Sequence, residues 1–109
     1  MAALSTTVAP LTGGTVTYTA AASGGDTCQT GAGVLLLVRN EDASSHTVTL
    51  ATPGTVNGLE IADRAVVVAA GSEVAIPVTS DYRDSSTGRA AITYDGVTSV
   101  TVAVVRVPV

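Results

Sequence analysis

Lysine, phenylalanine and tryptophan are absent from this chain of 109 residues, and cysteine and histidine occur once each. Each absence excludes something. Without lysine, the positive charge rests on Arg39, Arg64, Arg83, Arg89 and Arg106, scattered along a chain of net charge -4. No basic stripe exists to neutralise phosphates, which argues against a nucleic-acid partner and against an anionic membrane surface. A lone Cys28 excludes an internal disulfide. One histidine and one cysteine cannot by themselves build a tetrahedral metal site. With Tyr18, Tyr82 and Tyr94 as the only aromatic residues, there are no flat rings beside the carboxylates to grip a sugar. No apolar run reaches the length of a membrane-spanning helix. The first residues lack the charged start and long apolar stretch of a secretory signal, so synthesis in a cytoplasm is expected. Neither Asn40 nor Asn57 begins an N-glycosylation acceptor.

Valine and threonine dominate what is present. Both are branched at Cβ, stiff at χ1 and suited to a pleated surface. The length allows one domain, which at this size buries roughly two-thirds of the surface its unfolded chain exposes. The core must be aliphatic.

Strand and turn signals alternate along the chain. Residues 1–14 show no clean period and read as an N-terminal arm, or equally as a first strand, ahead of a sandwich domain over 15–109. Thr15 to Ala20 alternates, with Val16, Tyr18 and Ala20 on one face. Ser23 to Gly33 is rich in glycine and small polar residues and reads as a loop. Val34 to Val38 is short, apolar and branched, as expected of a strand buried on both faces. His46 to Leu50 alternates again, with Val48 and Leu50 inward. Pro53-Gly54 and Asn57-Gly58 mark turns, and Leu59 to Asp63 is ambiguous between a strand and a bridging segment. Ala65 to Ala69 and Glu73 to Val78, flanking Ala70-Gly71-Ser72, read as a hairpin whose second strand ends or lies at an edge because of Pro77. Arg89 to Tyr94 and Val97 to Arg106 flank Asp95-Gly96, a strong hairpin signal. The expectation is an all-β fold: a single β-sandwich or jelly-roll-like domain of about seven or eight short antiparallel strands, with a small barrel as the alternative.

The chemistry-bearing residues form no constellation in the sequence. His46 opens an alternating strand on the face of Val48 and Leu50, which reads as a rim or half-buried side chain. Cys28 sits in a glycine-rich loop without a cationic neighbour to stabilise a thiolate. Asp81 and Asp84 with Ser85 and Ser86 lack the ligand alternation and closing glutamate of a calcium loop. Glu41-Asp42 reads as a charged hairpin tip that discourages edge pairing, and Asp63-Arg64 as a pair able to tie a loop to the end of the sandwich. The glycines at 24, 25, 31 and 33 do not match a phosphate cradle. No catalytic residue, metal site or cofactor is expected.

One stretch carries a resemblance. Val-Arg-Asn-Glu-Asp-Ala-Ser-Ser-His-Thr-Val-Thr-Leu (38–50) leads into Thr-Pro-Gly-Thr-Val-Asn-Gly-Leu-Glu-Ile-Ala-Asp-Arg (52–64). Val-Val-Val-Ala-Ala-Gly (66–71), Ile-Thr-Tyr-Asp (92–95) and Val-Thr-Ser-Val-Thr-Val-Ala-Val-Val-Arg (97–106) follow. From about Gly31 onward the chain resembles small structural proteins of tailed bacteriophages, especially those infecting GC-rich actinobacteria, of the capsid decoration (cement) type. The resemblance implies a viral structural protein on the capsid exterior of the virion. Its partner would be the major capsid protein, and it would be a monomer or a homo-oligomer such as a trimer. An arm carrying Leu4, Val8, Pro10 and Leu11 is the candidate contact with the capsid, through apolar contact or added strand pairing. The rivals are a tail or head–tail joining component, an extracellular immunoglobulin-like binding module, and, last, a small hydrolase.

Overall fold

The computed structural model describes residues 2–10 and 12–107. The described residues fold as thirteen β segments, eight of them three residues or longer, and one 3₁₀ turn at Ser80–Tyr82. In chain order they are β1 (Ala2–Ala3), β2 (Thr6–Val8), β3 (Thr19–Ala20), β4 (Asp26–Cys28), β5 (Val34–Asn40), β6 (His46–Leu50) and β7 (Thr55–Val56). There follow β8 (Leu59–Glu60), β9 (Arg64–Val68), β10 (Glu73–Pro77), β11 (Arg83–Asp84), β12 (Arg89–Tyr94) and β13 (Val100–Arg106). One sheet has the order β1-β4-β12-β6-β9, with β11 also pairing β12; the second has the order β10-β5-β13-β2, with β3 also pairing β13. Strands β7 and β8 form a separate hairpin. The expected β-sandwich is present, and its shortest dimension of 20 Å fits two packed layers.

The core follows from alternation. Cys28, Val48, Leu50, Val68, Ala90 and Ile92 point inward from the first sheet. Val34, Leu36, Val38, Ile76, Val100, Val102 and Val104 meet them from the second, and all these residues join one buried cluster. Burying such a side chain fully contributes about 1.5–3 kcal/mol, so an aliphatic core of this size replaces the missing large rings.

Four sequence expectations need correction. The supposed hairpin of 65–78 is not one: β9 belongs to the first sheet and β10 to the second, and the link through Gly71 (φ +73) crosses between layers. Asp95-Gly96 likewise joins β12 and β13 across the sandwich, and the left-handed residue there is Ser99 (φ +55). Alternation dictates which face is buried but not which sheet a strand joins. The loop expected over 23–33 contains β4, which carries the fully buried Asp26 and Cys28. The strand expected over 15–20 shrinks to Thr19–Ala20, because β2 occupies the same edge of β13 at Val104–Arg106. Tyr18 leaves the ladder and lies over the Arg39 guanidinium, 4.2 Å from its ring centroid, with its hydroxyl donating to Glu73.

Residues 2–8 add short parallel pairings at the margin of an otherwise antiparallel fold, β1 with β4 and β2 with β13. Arg89 ties this segment down. Its Nη2 donates to the Leu4 carbonyl (2.8 Å), and its Nε donates to Thr27 Oγ1 (3.1 Å).

Candidate interaction surface

The connections gather at two ends of the sandwich. Loop 41–45, turn 69–72 and turn 95–99 lie at one end; segments 29–33, 51–63 and 78–88 lie at the other.

The first end is tied by polar side chains. Asn40, fully buried at the end of β5, donates through Nδ2 to the carbonyls of Ser44 (2.9 Å) and Val68 (3.0 Å). Its Oδ1 accepts from the Asp42 N–H (2.9 Å). One amide thus fixes the loop after β5 and bridges to β9 in the opposite sheet. His46 sits beside it between two carboxylates, Asp42 Oδ2 at 2.8 Å from Nε2 and Asp95 Oδ1 at 3.3 Å from Nδ1. Hydrogen bonding to Asp42, then to Asp95, raises the His46 pKa above its ordinary value against the opposing effect of desolvation. The bond from His46 lowers the Asp42 pKa first of all, and the Thr47 backbone lowers that of Asp95.

The opposite end carries a projecting hairpin with exposed apolar side chains. The base of segment 51–63 is pinned where the Thr52 N–H donates to Asp63 Oδ1 (2.9 Å) and Thr52 Oγ1 donates to the Ala62 carbonyl (3.2 Å). Asp63 therefore ties a loop to the end of the sandwich, as its position suggested. Beyond the pin, β7 and β8 turn about Asn57 (φ +53) and Gly58 (φ +77), both left-handed as a type I′ turn requires. The hairpin presents Val56 (59 % exposed) and Leu59 (72 %), with Ile61 (40 %) against Gly54 at its root. Val8, paired with Arg106 at the end of β13, and Val107, whose N–H donates to the Gly33 carbonyl, are also exposed. Val67 is exposed on β9, the edge strand that follows the hairpin, opposite Thr47 and toward the polar end. Apolar side chains are normal when scattered singly on a surface; a concentration on a projecting tip is the informative case.

The residues of the candidate arm are divided. Leu4 packs partly buried against the core. Val8 and Pro10 are exposed. Leu11 lies outside the described residues.

Cys28 and His46 are not brought together. Their strands flank β12, so they are about 10 Å apart across the sheet and further offset along it. Burial pushes the Cys28 thiol up to about 11 despite the opposing field of Arg89. Cys28 instead neighbours a buried polar pair: Asp26 Oδ2 accepts from the Tyr94 hydroxyl (2.6 Å) and from the Ala22 N–H (3.3 Å). Burial, then Asp26, raises the Tyr94 pKa far above the usual phenol range. Asp84 closes its turn by accepting from the Ser86 N–H (2.9 Å) and hydroxyl (2.8 Å). Among the described residues, no three His, Cys, Asp or Glu side chains are grouped to hold a metal ion.

The β7–β8 surface was only partly legible in the sequence. Asn57-Gly58 marked the turn, but exposure of Val56 and Leu59 could be read only once the hairpin was seen to leave both sheets. No family model, no curated protein and no solved structure matches this chain.

Proposed function

We propose that this protein is a structural component that docks on the outer surface of an assembled bacteriophage head and stabilises it as a decoration protein. The observation that carries the reading is the asymmetry of the sandwich. One end is closed by buried and half-buried polar ties, and the other projects Val56 and Leu59 from a hairpin with a pinned base. Exposed apolar side chains on a held loop are preorganised for burial against another protein, with little entropy left to lose. On a repeating shell, modest affinity per copy is multiplied by neighbouring contacts. The sequence likeness over 31–106 supports the shell as that partner.

The test is the copy number in purified virions, measured by quantitative mass spectrometry against the major capsid protein, with the Leu59→Glu variant alongside. Near-stoichiometric copies, with the variant folded but lost from particles, support decoration through the hairpin. A handful of copies moves the protein to the connector or tail, and complete absence from particles overturns the reading.

A further inference from the structure

His46 touches a carboxylate with each ring nitrogen, and that geometry constrains its charge. A neutral imidazole carries one N–H and one lone pair, whereas the imidazolium carries two N–H donors. With Asp42 at Nε2 and Asp95 at Nδ1, only the imidazolium donates to both. Either neutral tautomer would aim a lone pair at a carboxylate. The ring is held closely, its side chain 12 % exposed, and a Cβ on Gly96 would stand 3.1 Å from Cε1 and 3.2 Å from Nδ1. Glycine at 96 thus lets the turn lie against the ring.

We propose that His46 is a protonation-governed latch, whose imidazolium clips the loop after β5 to the turn between β12 and β13 and whose deprotonation releases that turn. The other charges around the ring fit this role. On the loop after β5, Glu41 is engaged by Arg39 (3.7 Å) and leaves Asp42 to the ring. On the β9 side His46 pairs with Val68, followed by the uncharged Ala69 and Ala70. From the β12–β13 turn, Asp95 is the ionisable group that reaches it.

The two arms are unequal. Asp42 is closer and 26 % exposed, whereas Asp95 is farther and 50 % exposed. Loss of the proton leaves the Nε2–H donating to Asp42 and turns the Nδ1 lone pair toward Asp95, so the Asp95 arm opens. The Asp95 N–H remains bound to the Thr47 carbonyl (3.1 Å) and its carboxylate to the Thr47 backbone, which confines the release to the contact with the ring and to residues 96–99.

The pH window follows from the directions of the shifts. The raised His46 value makes its stabilisation complete below the ordinary 6.5 and lost as pH rises through the folded value. The lowered carboxylates make theirs present above the ordinary 3.8 and lost as pH falls through the folded values. The latch is closed between these limits and opens on the alkaline side.

The chain's single histidine makes the test direct. An NMR titration of its ring signals is run with ¹⁵N relaxation dispersion at residues 96–99. The expected result is a midpoint above 6.5, with exchange broadening of the turn appearing across the same midpoint and absent in His46→Gln. Asp42→Asn should lower the midpoint more than Asp95→Asn. Gly96→Ala should lower it with every charge intact, by pushing the ring off its seat. A midpoint at or below that of an unfolded histidine, or turn dynamics indifferent to its protonation, would overturn the proposal.

Discussion

Replacing Asn40 by alanine tests whether one buried amide holds the polar end of the sandwich. Three good hydrogen bonds disappear, to the Ser44 and Val68 carbonyls and from the Asp42 N–H. Their losses are unequal. Ser44 is exposed, and Asp42 is partly so, so water can replace Asn40 there at a cost of about 0.5–1 kcal/mol each. The bond to Val68 is buried where water does not replace it, and losing it costs about 1–3 kcal/mol. The total, with a small cavity added, is about 2–5 kcal/mol. For a domain of this size that lowers Tm by roughly 10–25 °C. Thermal and urea denaturation followed by circular dichroism would measure it, with an unchanged urea slope showing that the unfolded state is not what moved. Ser44→Ala is the matched control: only its backbone carbonyl is used by Asn40, so stability should change by less than about 0.5 kcal/mol. An Asn40→Ala loss below about 1 kcal/mol would refute the reasoning, because it would mean that water already reaches Val68.

Other consequences can be checked on the same preparation. Tyr94→Phe removes the hydroxyl that donates to the buried Asp26 and should cost about 1–3 kcal/mol, read as a lower urea midpoint. Cys28, fully buried with its thiol pushed up to about 11, should resist a thiol-specific chromogenic reagent at pH 8 in the native protein. It should react fully in denaturant, and rapid native labelling would show that β4 opens locally. Gly33→Ala should lower stability, because its Cβ would meet the Val107 carbonyl oxygen at 2.6 Å from a backbone held at φ +78.

The fold was legible where alternation and burial agree. His46–Leu50 appears as β6 with the expected inward Val48 and Leu50, and the apolar run at 34–38 is a central strand extended to Asn40. Pro77 ends an edge strand, as a residue without an N–H should. What failed was pairing. Ala70-Gly71-Ser72 and Asp95-Gly96 have the composition of hairpin turns, yet both carry the chain from one sheet to the other. A turn signal reports that the chain reverses; which neighbour the next strand finds is set by where its apolar face is buried. Strand β4 was hidden for a related reason. Its Asp-Thr-Cys is polar by composition, and the Tyr94 hydroxyl and the Ala22 N–H meet one carboxylate oxygen, Oδ2, of the buried Asp26.

The same division explains the two ends. At the polar end, the ties that cross between sheets join residues that no local pattern connects: Asn40 with Val68, His46 with Asp95. Each residue looked ordinary alone, His46 as a rim histidine and Asp42 as a charged hairpin tip, although β5 and β6 lie in different sheets and form no hairpin. At the hairpin end the relevant residues are neighbours in sequence, so the turn at Asn57-Gly58 could be seen in advance even though the exposure of Val56 and Leu59 could not. That exposure has a physical limit. A two-stranded hairpin is marginal in water, and here the pin between Thr52 and Asp63 constrains its root. Severing the pin with Asp63→Ala, while leaving Val56 and Leu59 in place, therefore separates preorganisation from apolar area. Docking that weakens tenfold or more without loss of global stability would assign the affinity to the held loop, and unchanged docking would assign it to the side chains alone.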